Sequence, residues 1–201
     1  KGLVDDQLLL QAKVLTLGDV EEHRREGGTI LKTSRENPYS KKNIEAGAPQ
    51  KLWANIQKLE LDALVTLGGD DTNGVSAQLW QEHQEFTIIG LPKTMDNDLN
   101  LPYGASTYGF ESFVEAATTV VRHGLADAVS TDTLLVTEVF GRSAGFVAQA
   151  IGAKVGAVRT LIPEEGNIDL EKLIQDMVNY YQGRGARNGV IIVSEGIKIA
   201  K

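Results

Sequence analysis

Apolar runs of strand length alternate with patterns of helical spacing from residue 62 to residue 194. The expected strands are 62–67, 86–90, 134–139, 157–162 and 189–194, and the expected helices between them are 73–84, 106–123, 142–153 and 170–182. Such alternation predicts right-handed βαβ units and a mostly parallel sheet. Strands that are apolar throughout, such as 190–193, must be covered on both faces. The sequence therefore predicts an α/β fold, with an open, mostly parallel Rossmann-like sheet and helices on both faces.

Size, charge and cysteine content narrow the class of protein. A chain of 201 residues, 42% hydrophobic, has enough apolar material for one compact unit. A net charge of -7 argues against nucleic-acid or anionic-membrane partners, and no apolar run approaches the ~20 residues that span a bilayer. The lack of cysteine excludes disulfides and thiolate chemistry and fits a cytoplasmic protein. We expect residues 28–47 to form a long polar loop.

The first polar cluster follows the strand 62–67 and reads Gly-Gly-Asp-Asp-Thr from residue 68. It enters a helix directly, so backbone N–H groups and a helix N-terminus face an anion. Gly69, Asp70, Asp71 and Thr72 are therefore candidate phosphate-binding residues. Adjacent carboxylates beside a phosphate suggest a bridging Mg²⁺, for which Asp70 is the candidate ligand. An ordinary turn with Asp71 or Thr72 as the N-cap fits the same residues.

The second cluster, Pro-Lys-Thr-Met-Asp-Asn-Asp at 92–98, follows the next strand. Phosphoryl transfer to a hydroxyl group needs a base near the acceptor and a cation near the transferring group. Asp96 suits the base and Lys93 the cation. A solvated loop is the alternative interpretation.

Two further clusters end later strands. Arg142, in Phe-Gly-Arg-Ser-Ala-Gly at 140–145, is placed to form a bidentate contact with phosphate oxygens. In the first turn of the expected helix it opposes the macrodipole, a conflict that an anion would relieve; a plain surface arginine is the alternative. Glu195, after the strand 189–194, can accept hydrogen bonds from sugar hydroxyls or serve as a helix N-cap or loop residue.

Several other kinds of site find no support in the sequence. His23, His83 and His123 lie outside every polar cluster, so histidine catalysis and histidine metal ligation are not indicated. There is no Gly-x-x-x-x-Gly-Lys-Ser/Thr loop, and no Gly-x-Gly-x-x-Gly follows a strand. P-loop NTPases and dinucleotide-binding Rossmann enzymes are therefore disfavoured.

Together the clusters at 68–72, 92–98 and 140–142, in that order, make the sequence resemble the phosphofructokinase family. Upstream, Gly-Gly-Thr-Ile-Leu-Lys-Thr-Ser-Arg at 27–35 looks like the family's Gly-Gly-Thr segment, and Arg35 would then face the phosphoryl donor. Nucleotide or lipid kinases that share a Gly-Gly-Asp turn would not supply the clusters at 92–98 and 140–142.

The resemblance implies specific roles for these residues. Asp96 would accept the proton of the 1-hydroxyl of fructose 6-phosphate, and Thr94 would neighbour the transferring phosphate. Asp98 would be a supporting carboxylate near the metal, and Arg142 would stabilise transition-state charge. Phe140, Gly141 and Glu195 would contact the sugar phosphate. The family usually has Met at the position of Phe140.

The donor implied by the resemblance is inorganic diphosphate. ATP users of the family typically have Gly at the positions of Asp71 and Lys93. An Asp71 side chain would add bulk and negative charge where a nucleotide must pass, and Lys93 would neutralise the small diphosphate. An ATP-dependent 6-phosphofructokinase is the alternative.

By the same resemblance, residues 1–201 would be a single partial domain that holds the donor-binding and catalytic core. The family's first strand with its glycine-rich loop would precede Lys1, and its sugar-phosphate-binding Arg and His segment would follow Lys201. We expect a homo-oligomer in the full-length form. A catalytically inactive remnant or regulatory subunit is a further alternative.

Overall fold

The structure is a computed structural model and describes residues 2–4, 12–185 and 187–200. The chain forms two compact units, residues 1–91 and residues 92–201. Each unit combines helices with β-strands. Within the described ranges, no helix is both long enough and apolar enough to cross a membrane.

The first unit is built around a small apolar core that lies between its helices and strands. Leu52 and Ile56 on one helix and Leu79 on another form the buried centre, and Trp53 and Leu64 pack against it. Strand β1 is hydrogen-bonded to strand β2, whose last residues belong to the second unit. The elements are α1 (Leu17–Glu21), α2 (Lys41–Glu45), α3 (Ala48–Lys58), β1 (Ala63–Gly68), α4 (Asp70–Glu82) and β2 (Thr87–Thr94), with a 3-10 turn at Gly2–Val4.

The second unit alternates strands and helices along most of its length. Two 3-10 turns, Pro102–Gly104 and Pro163–Glu165, interrupt its connections. Its regular elements are β3 (Tyr108–Gly109), α5 (Phe110–Thr131), β4 (Leu134–Val139), α6 (Phe146–Val155), β5 (Arg159–Leu161), β6 (Asn167–Ile168), α7 (Leu170–Gln182), β7 (Gly189–Ser194) and β8 (Lys198–Ile199).

A parallel sheet of order β4-β7-β5 forms the centre of the second unit. Strand β7 pairs with β4 from Leu134↔Gly189 to Val139↔Ser194, and with β5 over a shorter stretch. Strands β6 and β8 form a separate parallel pair, and β3 pairs in parallel with the end of β2. The α/β fold with parallel strands predicted from the alternation is confirmed.

The apolar stripe of α5 faces the core of the second unit. Phe110, Val114 and Val121 are buried, and Phe113 and Ala117 are partly buried against them. They pack with residues of β4, β7 and α6, namely Val139, Val147, Ala148, Ile151, Val190 and Ile192. The burial follows from the helical spacing of these side chains.

Predicted boundaries fail at several element ends. Helix α5 ends at Thr131 rather than 123, and β2 runs to Thr94 rather than 90, so Lys93 and Thr94 end the strand instead of following it. Helix α5 begins at Phe110 rather than 106, because residues 108–109 pair with β2 and Gly109 takes the N-cap at φ 106°. Helix α6 begins at Phe146, with Gly145 as its N-cap, and α4 begins at Asp70 rather than 73. The loop prediction for 28–47 was wrong in part, since α2 begins at Lys41.

A matched pair of substitutions on α5 tests the packing. Val114 is 0% exposed and Val120 is 71% exposed. Val114→Ala should lower the free energy of unfolding by about 1.5–3 kcal/mol, since it removes buried methyl groups and leaves a cavity. Val120→Ala should leave it within about 0.5 kcal/mol, because nothing buried is lost and Ala favours helix. Equal effects in urea denaturation would contradict the packing of α5.

Candidate active site

The turn from β1 into α4 presents an uncapped helix N-terminus. Gly69 is the N-cap and supplies no side-chain hydrogen bond, so capping by Asp71 or Thr72 is wrong. The side chain of Asn73 holds the turn from inside, as its Nδ2 donates to the carbonyl oxygens of Gly68 at 2.8 Å and Gly69 at 2.9 Å. Within the described residues, no side chain accepts a hydrogen bond from the amides of the first turn, which suits an anion.

Asp70 and Asp71 are exposed in the first turn of α4. Among the residues that the structure describes, no group of three or more His, Cys, Asp or Glu side chains gathers to hold a metal ion. Mg²⁺ commonly binds through one or two carboxylates together with substrate phosphates and water. The two aspartates fit a Mg²⁺ shared with phosphates, and their charge also suits the positive end of the helix dipole.

Arg35 also belongs to the first unit, where it is exposed in an irregular stretch of chain. The other predicted site residues, from Lys93 to Glu195, belong to the second unit. Within that unit they come from two places, the end of β2 with the loop that follows it, and the residues just after the paired ends of β4 and β7.

A short loop after β2 holds Asp96 against Thr94. The Oγ1 of Thr94 donates to Oδ2 of Asp96 at 3.2 Å, and the Asp96 amide donates back to that Oγ1 at 3.2 Å. Asp96 is half-buried, whereas Lys93 and Asp98 are exposed. The loop therefore fixes one carboxylate and leaves a cation and a second carboxylate accessible beside it.

The surroundings of Asp96 raise its pKa above the ordinary value of 3.8. Burial is the main cause, and the charges of Asp98 and Glu195 add to it. The hydrogen bond from Thr94 and the charge of Arg142 act in the opposite direction. These interactions bring Asp96, Arg142 and Glu195 into one electrostatic cluster within the second unit.

Arg142 lies in a tight turn before α6 rather than in the first helical turn, so the predicted conflict with the helix dipole was wrong. Its backbone is left-handed, with φ 52°. The Oε1 of Glu195 accepts hydrogen bonds from the amides of Arg142 at 2.6 Å and Gly141 at 3.4 Å. Glu195 is thus a loop residue that holds the turn carrying Arg142, and it caps no helix.

The close fit of this turn depends on Gly196. A Cβ atom on Gly196 would lie 2.0 Å from the carbonyl oxygen of Arg142. The Glu195 amide donates to the Val139 carbonyl at 3.1 Å, which continues the ladder beyond the paired strands. Beside the turn, the exposed ring of Phe140 lies 6.1 Å from that of Phe113, centroid to centroid.

Several side chains that hold these loops were not predicted from the sequence. Oε1 of Glu164 accepts the Gly145 amide at 2.8 Å. The Ser194 hydroxyl donates to the Ala144 carbonyl at 3.3 Å. Thr107 binds the loop after β2. These partners are far apart along the chain, so no local spacing reveals them.

Comparisons with known sequences agree on one family. The family model described as Phosphofructokinase matches residues 1–201. A Naegleria fowleri protein named pyrophosphate--fructose 6-phosphate 1-phosphotransferase is 41% identical over 164 residues, which cover 81% of this chain and 36% of that protein. A protein of the same name from Thermotoga maritima is 35% identical over 192 residues, 92% of this chain and 45% of that one.

A relative named for ATP as its donor has the same sequence identity to this chain as the Thermotoga maritima protein. An ATP-dependent 6-phosphofructokinase from Spirochaeta thermophila is 35% identical over 203 residues, 98% of this chain and 52% of that protein. The chain thus spans about half the length of these relatives or less.

Solved structures show the same fold. A phosphofructokinase from Saccharomyces cerevisiae superposes with a TM-score of 0.73 at 28% identity, covering 92% of this chain and 27% of that one. A pyrophosphate-dependent phosphofructokinase from Nitrosospira multiformis gives a TM-score of 0.67 at 24% identity, covering 77% of this chain and 41% of that one.

The raised pKa of Asp96 makes a prediction for stability. Because the folded-state pKa lies above 3.8, stability is lost as the pH rises through that pKa and the buried carboxyl ionises. Asp96→Asn should therefore be more stable than the wild type at pH 7, and the difference should shrink as the pH falls toward 4. Denaturant unfolding from pH 7 to pH 4 measures it.

Asp127→Asn, which removes an exposed charge from α5, is the control for net charge. A stability difference for Asp96→Asn that is the same at every pH would contradict the burial of an ionised carboxylate. So would a control that follows the same pH dependence.

Proposed function

Because the chain belongs to the phosphofructokinase family, we propose that it carries the catalytic core of a diphosphate-dependent 6-phosphofructokinase. This enzyme moves a phosphoryl group from inorganic diphosphate to the 1-hydroxyl of fructose 6-phosphate, giving fructose 1,6-bisphosphate and phosphate. The observation that carries the proposal is the half-buried Asp96, bonded to Thr94 and within electrostatic reach of Arg142.

Asp96 is the general base of the proposed reaction. A carboxylate whose pKa is raised by burial accepts a proton more readily than an exposed one, and a base near the acceptor hydroxyl contributes about 10²–10⁴-fold to the rate. The Thr94 hydroxyl holds the carboxylate in place and leaves its other oxygen for the sugar. Arg142 supplies positive charge for the oxygens of the transferring group.

The N-terminus of α4 is the proposed site for donor phosphates. Its uncapped amides donate hydrogen bonds to the anion, with Gly69 allowing close approach and Thr72 and Arg35 as further contacts. Asp70, together with Asp71, is the proposed holder of Mg²⁺, which when bound neutralises charge on the phosphates. Asp98 is the proposed supporting carboxylate near the metal.

Two side chains support diphosphate over ATP. Asp71 is exposed at the start of α4, where its bulk and negative charge disfavour a nucleotide, and the exposed Lys93 offers charge to diphosphate. Relatives named for either donor are equally similar overall, so the proposal relies on these two positions.

We further propose that residues 1–201 form part of one phosphofructokinase domain, in a cytoplasmic enzyme that works as a homo-oligomer in its full-length form. The family match along the whole chain supports the domain assignment. The sugar phosphate is proposed to lie against Phe140, Gly141 and Glu195.

A non-catalytic regulatory subunit is the second candidate. Phe140 stands where the family usually has Met, and the Glu195 carboxylate is bonded to backbone amides rather than left open for a sugar. Turnover by the full-length protein decides between the two candidates.

Removal of the proposed base tests the reaction. In the full-length protein, Asp96→Asn should lower the rate of fructose 1,6-bisphosphate formation by about 10²–10⁴-fold or more, because the acceptor hydroxyl loses its base. A coupled assay with diphosphate and Mg²⁺ measures the rate, and Asp127→Asn should retain wild-type activity. Undiminished turnover in Asp96→Asn would contradict the role of this carboxylate. A wild-type enzyme without turnover with either diphosphate or ATP would favour the regulatory subunit.

Substitution of both Asp71 and Lys93 tests the proposed preference for diphosphate. Asp71→Gly with Lys93→Gly should lower kcat/KM for diphosphate by about 10–100-fold, the effect of one lost charged hydrogen bond, and should give measurable use of ATP. The single variants separate repulsion of ATP by Asp71 from attraction of diphosphate by Lys93. An unchanged ratio of the two kcat/KM values would rule out this explanation of donor choice.

A further inference from the structure

The loop that carries Asp96 is tied down by a buried threonine that lies just before α5. Thr107 is 3% exposed. Its Oγ1 donates to the carbonyl oxygen of Thr94 at 2.7 Å, and its amide donates to Oδ1 of Asn97 at 2.9 Å. One residue therefore holds the loop 94–98 on both sides of Asp96.

These bonds connect directly to the proposed base. The Thr107 hydroxyl fixes the backbone of Thr94, and the Thr94 hydroxyl is bonded in both directions to Asp96. On the other side, Asn97 has a left-handed backbone with φ 56°, a conformation that Asn tolerates better than most residues. Its Oδ1 accepts a hydrogen bond from the amide of the buried Thr107, which keeps Asn97 there.

Thr107 is itself anchored to the rigid part of the second unit. Its carbonyl accepts the amide of Phe110 at 3.2 Å, and Phe110 is a buried member of the apolar core. The next two residues, Tyr108 and Gly109, pair in register with Lys93 and Thr94. The loop is thereby linked to α5 and not only to the strand that precedes it.

Burial alone does not account for a threonine at this position. Thr118, which lies in α5, is 1% exposed. Its Oγ1 has no hydrogen-bond partner in the part of the chain that the structure describes. At Thr118 the side chain contributes packing, whereas at Thr107 the hydroxyl also donates to the backbone carbonyl of Thr94. The pair provides a matched control for the hydroxyl.

We infer that Thr107 is a positioning residue for the proposed phosphoryl transfer, acting through Thr94 and Asn97 to hold the Asp96 carboxylate at the reacting hydroxyl. The inference rests on the proposed function. Displacement of a reacting group by about 1 Å can lower a rate by about 10²-fold. Loss of the Thr107 hydroxyl, which leaves the backbone bond to Asn97 in place, should therefore act on the chemical step more than on substrate binding.

Substitutions that keep the shape and change the hydroxyl test the inference in the full-length enzyme. Thr107→Val should lower kcat by about 10–100-fold while KM for fructose 6-phosphate changes by less than about 3-fold. Thr107→Ser, which restores the donor, should stay within about 3-fold of wild-type kcat. Thr118→Val should match the wild type. Circular dichroism at the assay temperature verifies that each variant is folded.

Amide hydrogen exchange supplies a readout that does not depend on turnover. Thr107→Val should speed exchange in the loop 94–98 by about 10-fold or more, since the loop opens locally, and should leave exchange in α5 unchanged. Asn97→Gly removes the other acceptor while tolerating the left-handed backbone, and should loosen the same loop if Thr107→Val does not fold.

The outcomes separate the inference from the function on which it rests. A wild-type enzyme that turns over neither donor defeats the proposed function, and exchange in the loop then decides whether Thr107 holds Asp96. Wild-type kcat in Thr107→Val, a Thr107→Ser variant as impaired as Thr107→Val, or unchanged exchange in the loop would each overturn the inference.

Discussion

Strand β7 is the constraint on which the second unit depends, because it is the central strand of the sheet and is buried on both faces. Val190, Ile191 and Ile192 are almost inaccessible, and the pairing of β7 with β4 ends at Val139↔Ser194. Strands that end at the same level must bring their following residues together. The Glu195 carboxylate is therefore delivered to the turn that carries Arg142, and the lack of a side chain at Gly196 lets the two loops touch.

The same proximity creates an electrostatic balance around Asp96. Burial and the charges of Asp98 and Glu195 oppose its ionisation, while the Thr94 hydroxyl and Arg142 favour it. Stabilisation by cations lowers the pKa of a carboxylate and weakens it as a base, whereas burial without them raises that pKa. Opposing influences of this kind are expected where a group must accept a proton, and they come at the expense of folding stability at neutral pH.

The presence and type of most strands and helices were predictable because their periodicity is local. Strands β4 and β7 and helix α7 begin and end where the apolar pattern predicts, since burial on a sheet or along one helix face repeats every few residues. The starts of α5 and α6 were missed because glycines hold both N-caps, so no Ser, Thr, Asp or Asn marks those boundaries. A glycine cap is set by backbone conformation and by neighbouring strands.

The candidate site was predictable only in part, for a related reason. Lys93, Thr94, Asp96 and Asp98 are close in sequence, and a chemical pattern in a short segment can be recognised without a structure. The contacts from Thr107 to Asn97 and from Glu164 to Gly145 join residues in different segments. They depend on the paths of the loops, which the hydrophobic pattern does not determine.

Donor choice is a local property that overall similarity does not report, since relatives named for diphosphate and for ATP share the same 35% identity with this chain. Discrimination against a nucleotide can be achieved by an unfavourable contact beyond the second phosphate, and a carboxylate supplies both bulk and repulsion. Asp71 is in the first turn of α4, where the positive end of the helix dipole stabilises a negative charge. The side chain proposed to repel ATP can therefore be kept there without destabilising the helix, so the fold places little restraint on the residue at this position.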